Sequence, residues 1–141
     1  MAISVDPYLN FNGNCAEAMR FYADVLGGSL EFMATFGESP MAEQTPPEQR
    51  DLVMHATIVV DGQRIMASDA PGGYYSRPQG LYVSLGIPEP DRARRVFDAL
   101  SEGGSIQMPF EPTFWASGGF AMFTDRFGTP WMISSEPSQS S

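Results

Sequence analysis

The chain of 141 residues is 43% hydrophobic, and its 8 Lys and Arg against 17 Asp and Glu give a formal net charge of -9. That balance, with a pI near 4.3, excludes a nucleic-acid partner, because phosphates are held by clustered Lys and Arg that displace counterions. The single Cys15 excludes an internal disulfide and a multi-cysteine zinc site; with no basic leader and no long apolar run, a soluble cytoplasmic protein with no membrane partner is expected.

In chain order, residues 5–11 predict a first strand with Leu9 and Phe11 on one face. Asn12-Gly13-Asn14 predicts a turn, with Asn14 as the N-cap of a helix. Ala18, Phe21, Tyr22, Val25 and Leu26 recur at three and four residues and form its apolar stripe. Gly27-Gly28 supplies a left-handed stop. A strand over 29–36 follows, then a polar, proline-bearing loop over 37–51, long enough to be a lid or a disordered arm. Strands over 52–60 and 63–68 are joined by Asp61-Gly62, a strong hairpin signal.

After a Gly- and Pro-bearing linker over 71–79 the plan repeats. A strand over 80–87 leads to a helix opened by Pro88-Glu89-Pro90-Asp91, with Ala93, Val96, Phe97 and Leu100 turned inward and Gly103-Gly104 at its end. Strands are predicted over 105–108, 113–116, 120–124 and 131–134, with Asp125-Arg126-Phe127-Gly128 matching the Asp61-Gly62 turn. Residues 136–141 read as a Ser-rich, frayed tail. The helix ending in Asp24-Val25-Leu26-Gly27-Gly28 is thus echoed by the one ending in Leu100-Ser101-Glu102-Gly103-Gly104. Two copies are too few for a solenoid. They define two β-α-β-β-β modules, 1–70 and 80–135, that complete one compact domain.

This repeated plan, with the turn running on through Thr129-Pro130-Trp131-Met132, resembles the vicinal oxygen chelate superfamily, which includes glyoxalase I, ring-cleaving dioxygenases and bleomycin resistance proteins. The segments Tyr8-Leu9-Asn10-Phe11-Asn12-Gly13-Asn14-Cys15, Met54-His55-Ala56 and Met66-Ala67-Ser68-Asp69 are similar to its PhnB-like branch. The resemblance implies an α+β fold in which the two modules form a cupped mixed sheet, often dimeric, with a pocket in the cup.

The resemblance also implies where a metal would be held: at or near Pro7, Met66, Leu81 and Met132, with Asp6 one residue from the first. Proline and leucine offer no donor, and a thioether suits copper(I) rather than a hard or borderline divalent ion. No cofactor is expected on this count, although a divalent metal bound otherwise stays open. Some members of the branch carry a ubiquinone-pathway methyltransferase label. No Gly-rich turn between strand and helix supports it here, since Gly72-Gly73 and Gly118-Gly119 lie between strands.

His55 is the only histidine and the natural group for proton transfer near neutral pH. Both faces of its strand carry apolar residues, so two readings stand: a core or rim histidine bonded to a neighbour, or a pocket group. Asp69 is open between pairing with His55, pairing with Arg64, and starting the turn at Ala70-Pro71; Glu31 has a similar ambiguity. Trp115, set between Pro112 and Gly118-Gly119, is the aromatic expected at a rim, whereas Trp131 reads as core. Nine methionines supply adaptable lining or core filler.

Three functions follow as expectations. The first is a metal-free binding protein that holds a small aromatic or cationic molecule with His55 and Trp115. The second is an isomerase or lyase with His55 as acid-base group and Asp69 as its orienting carboxylate. The third is a structural or regulatory dimer without a small ligand. A homodimer is expected throughout, because the strands over 5–11 and 80–87 carry no Lys or Arg to discourage edge pairing.

Overall fold

A computed structural model describes residues 2–136. The chain divides into two compact units, 1–76 and 77–141, the division falling within 71–79. The first contains β1 (Tyr8–Phe11), α1 (Cys15–Leu26), β2 (Ser29–Thr35), β3 (Val53–Val60) and β4 (Gln63–Asp69). Its sheet has the order β1-β4-β3-β2, with β1 parallel to β4 and the other pairs antiparallel. The second contains β5 (Val83–Gly86), α2 (Pro90–Ser101), β6 (Ser105–Glu111), β7 (Gly119–Thr124) and β8 (Pro130–Ser135), ordered β5-β8-β7-β6 with the same parallel and antiparallel pattern. The fold class is α+β, with two four-stranded mixed sheets and one long helix on each.

The duplicated Gly-Gly has the same two jobs in both units. Gly27 ends α1 at φ 70°, and the N–H of Gly28 closes back on the Ala23 carbonyl at 2.8 Å. A Cβ on Gly28 would lie 2.4 Å from the Val59 carbonyl oxygen. In the second unit Gly103 has φ 79°, and a Cβ on Gly104 would lie 2.1 Å from the Thr124 carbonyl oxygen. One glycine turns the chain and the next lets it press against a strand. Asp61 and Gly62 both adopt positive φ, as a tight hairpin turn between β3 and β4 requires.

The helices bury slightly different stripes from those expected. In α1 the buried set is Cys15, Ala18, Met19, Tyr22, Ala23 and Leu26, so Phe21 and Val25 flank the stripe. In α2 the four expected residues are buried. Phe97 meets Phe123 edge-on at 5.4 Å and stacks on Phe110 at 6.0 Å.

Several local expectations are corrected. The strand expected at 113–116 is a turn, in which the Thr113 N–H donates to the Ala116 carbonyl and the Thr113 hydroxyl accepts from the Ala116 N–H. The strand before it extends to Glu111. Residues 37–51 are no open arm: they fold through three short 3-10 turns, and Gly37 and Arg50 pair at 2.9 Å. Asn14 precedes α1 but makes no side-chain cap, and its Oδ1 is buried without a partner. Of the tail, 137–141 lies outside the described residues.

Candidate functional site

Asp69 decides which face of the first sheet is which. Its Oδ1 accepts the N–H groups of Gly13 and of Cys15, the first residue of α1, at 2.9 and 3.0 Å. Its Oδ2 accepts the Val53 N–H at 2.9 Å. Asp69, with Ile65 and Ala67, therefore faces α1, and all three are buried. Pleating sends Met66 to the opposite, helix-free face. Thr57 is the cross-strand partner of Met66, and His55 lies two residues from Thr57, so both share that face.

His55 is the centre of a polar-aromatic cluster there. The Tyr8 hydroxyl lies 3.1 Å from its Nδ1, and the Thr57 hydroxyl 3.1 Å from its Nε2. The Tyr8 and Phe32 rings lie 5.6 and 5.9 Å from the imidazole. Tyr8 is 47% exposed and Phe32 50% exposed, while Thr57 is buried. The cluster thus has a buried inner end and two aromatic surfaces turned to solvent.

The carboxylate proposed to orient His55 is elsewhere. Both Asp69 oxygens are taken by backbone N–H groups on the other side of the sheet, and both imidazole nitrogens meet hydroxyls. No Asp69–His55 pair forms. Arg64 pairs with Asp6 at 2.8 Å rather than with Asp69. Asp6 is held below the usual carboxylate range by hydrogen bonds from Ser4 and Arg64. Glu31, with Arg20, Phe32, Thr35 and Glu38, lines a shallow depression of about 360 Å³ beside β2. Cys15 lies buried, and desolvation, with the Asp69 carboxylate adding to it, pushes its thiol up to about 12. That is the signature of an inert structural thiol.

In the second unit, Trp131 is fully buried and its Nε1 donates to Asp125 at 2.8 Å. Asp125 also accepts the N–H groups of Phe127 and Thr129, which shapes the turn. Trp115 is 46% exposed in the turn before β7, meeting Phe114 and Phe120 edge-on at 4.8 and 5.4 Å. Met108, Met122 and Met132 occupy successive cross-strand positions, with Ser84 beside Met132.

The positions at which the resemblance implies a metal fall in or beside these registers. Leu81 falls outside β5, and Ser84 is the partner of Met132; Tyr8 is the partner of Met66. Each unit therefore offers one hydroxyl and one thioether where imidazole and carboxylate would be needed, and the Tyr8 hydroxyl already meets His55. These donors do not fit a divalent ion. Among the described residues no three His, Cys, Asp or Glu side chains gather in a group that could hold one.

Tyr8, Phe32 and Thr57 were not singled out in the sequence. Thr57 was within reach, being on the same strand face as His55 by its spacing of two. Tyr8 and Phe32 come from β1 and β2, and no local pattern announces those pairings.

A paired β-α-β-β-β plan, parallel at β1–β4 and β5–β8, defines the class. The chain belongs to the glyoxalase/bleomycin resistance protein/dioxygenase superfamily, whose model matches residues 4–133. It is 36% identical to Protein YjdN of Escherichia coli K12 over 137 residues, 92% of each chain. The crystal structure of protein PA1353 from Pseudomonas aeruginosa is 48% identical, with a TM-score of 0.87 over 96% of this chain and 98% of that one. The PhnB protein from Bacillus cereus is 21% identical with a TM-score of 0.78, covering 94% and 98%, a likeness of fold alone. No helix among the described residues is long and apolar enough to cross a membrane.

Proposed function

We propose that this chain is a PhnB-like binding protein that holds a small aromatic or cationic molecule without a metal ion, on the helix-free face of the first sheet. The observation that carries this reading is the His55 cluster, in which two half-exposed aromatic rings flank an imidazole whose nitrogens are both hydrogen-bonded. Such rings offer stacking and cation–π surfaces, and a net charge of -9 favours a cationic guest. The protein acts in the cytoplasm, a reading supported by its one buried free thiol. It works as a homodimer, neither nucleic acid nor membrane being a partner. Trp115, half-exposed in the second unit, is a further aromatic surface on which a ligand can stack.

Thermal-shift screening with planar aromatics that are neutral, ammonium-bearing or anionic tests the reading. Neutral and cationic members should raise the melting temperature, and Phe32→Ala should abolish the shift. A shift that survives both Phe32→Ala and His55→Ala removes the site. Calorimetry with zinc, nickel, manganese and iron(II) should find no stoichiometric submicromolar binding; such binding would overturn the metal-free part.

A further inference from the structure

We infer that Tyr8, His55 and Thr57 form a reversible hydrogen-bond chain that reads the polar group of the ligand, its direction set by whether that group donates to or accepts from the Tyr8 hydroxyl. The inference rests on the proposed binding site and adds the ligand's polarity to it.

A neutral imidazole has one N–H and one lone-pair nitrogen, whereas a hydroxyl both donates and accepts. With hydroxyls at both nitrogens, the chain can run either way. In one direction Tyr8 donates to Nδ1 and Nε2–H donates to Thr57, so the Tyr8 oxygen lone pairs face outward. In the other, Thr57 donates to Nε2 and Nδ1–H donates to Tyr8, whose own hydrogen then faces outward. An ammonium on the ligand needs the first direction and fixes the Nε2–H tautomer. No covalent bond forms or breaks beyond the transfer of the proton between ring nitrogens.

Protonation removes the choice. The imidazolium donates from both nitrogens, which turns the Tyr8 hydrogen outward and puts a positive charge beside the ligand. By register the ring shares its sheet face with Tyr8 from β1, Phe32 and Ala34 from β2, Thr57 from β3, and Met66 and Ser68 from β4. Only Tyr8 among them is titratable. Arg64, two residues from Met66 on the same face of β4, is paired with Asp6 at 2.8 Å. No free cation stands among these groups to favour an anionic guest instead.

His55 is the only histidine, so ring-nitrogen NMR of the untagged chain reports on it alone. At pH 8, 2-naphthylmethylammonium should drive the ring to the Nε2–H tautomer, and 2-naphthalenesulfonate should not. Tyr8→Phe should keep ring binding and lose the ammonium-driven change of tautomer. A tautomer indifferent to the ammonium, or an ammonium-driven change of tautomer that survives Tyr8→Phe, overturns the inference. Should neither naphthalene bind, the binding site itself fails, and the chain is judged on the free protein. There Tyr8→Phe and Thr57→Val should shift the tautomer balance in opposite directions; an unchanged balance in both overturns it.

Discussion

The Asp69 carboxylate at the end of β4 caps α1 by accepting the Cys15 N–H at 3.0 Å, a bond that spans 54 positions of chain. The same side chain also holds the Gly13 and Val53 N–H groups, so it joins the helix start, the turn before it and the start of β3. The adjacent Asn14, which looks like a cap in the sequence, does none of this. Asp69→Ala leaves three N–H groups short of partners and should destabilise by about 3 kcal/mol or more. Asn14→Ala should change stability by no more than about 0.5 kcal/mol, where a true N-cap would cost about 1. Urea unfolding of the two variants decides the assignment: equal losses would return the cap to Asn14.

Cys15, beside that carboxylate, should be silent to thiol reagents. Its thiol is raised from 9.0 to about 12, first by burial and then by the Asp69 charge. In the folded protein it therefore keeps its proton where the unfolded chain has lost it. This term is fully present below pH 9 and is lost as pH rises from 9 toward 12, so it lowers alkaline stability. Iodoacetamide at pH 8 should label the unfolded chain rapidly and the native chain only at the rate of opening. Native labelling at the rate of a free cysteine would show that Cys15 is accessible.

The two Gly-Gly pairs allow a test of the duplication itself. Gly28→Ala and Gly104→Ala each drive a Cβ into a backbone carbonyl, which cannot swing away as a side-chain tip can. Each should destabilise by about 3 kcal/mol. Gly27→Ala, a left-handed position, should lose only about 1 kcal/mol. Denaturant midpoints that rank Gly27→Ala worst would overturn the close-approach explanation.

These contrasts also mark what the sequence could reveal. Gly-Gly stops, the Asp61-Gly62 turn and the α2 stripe are local signals, and each predicts its structure. The turn at 113–116 was misread because Phe114 and Trp115 favour strands, whereas the deciding bond is the Thr113 hydroxyl to the Ala116 N–H. The face of His55 was undecidable from β3 alone, since both faces carry apolar residues. It became fixed only through Asp69 on β4 and the register of Thr57 with Met66. The exposure of Trp115 was legible from the proline and glycines around it, because those residues break strands. Tyr8 and Phe32 reach His55 through sheet pairing, which no single segment encodes.

The two tryptophans should separate cleanly by quenching. Trp131 is fully buried and bonded to Asp125, whereas Trp115 stands in an exposed turn. Acrylamide should quench most of the emission of Trp131→Phe, which retains Trp115, and little of that of Trp115→Phe. Trp131→Phe should also lose about 2 kcal/mol, because the Asp125 oxygen is left short of its donor. Equal quenching of the two variants would contradict this placement of the rings.

Assembly is the last expectation. β1 and β5 are edge strands of their sheets and carry no Lys or Arg. An unprotected edge is a template for pairing with a second chain. Beyond the sheets, Phe114 is 97% exposed, and Ile3 and Val5 are almost as open. Covering one such side chain contributes about 1.5–3 kcal/mol, so a second copy of the chain has apolar surface to gain from. Closed two-fold dimers are also the commonest way to satisfy such surfaces. Light scattering at micromolar concentration should therefore give about twice the 15.4 kDa chain mass. Asn10→Lys with Ser84→Lys places a charge on each edge strand and should shift the population toward monomer. A wild-type protein that is monomeric at that concentration would end the dimer reading, and a dimer indifferent to both lysines would move the interface away from the strand edges and onto the exposed apolar side chains.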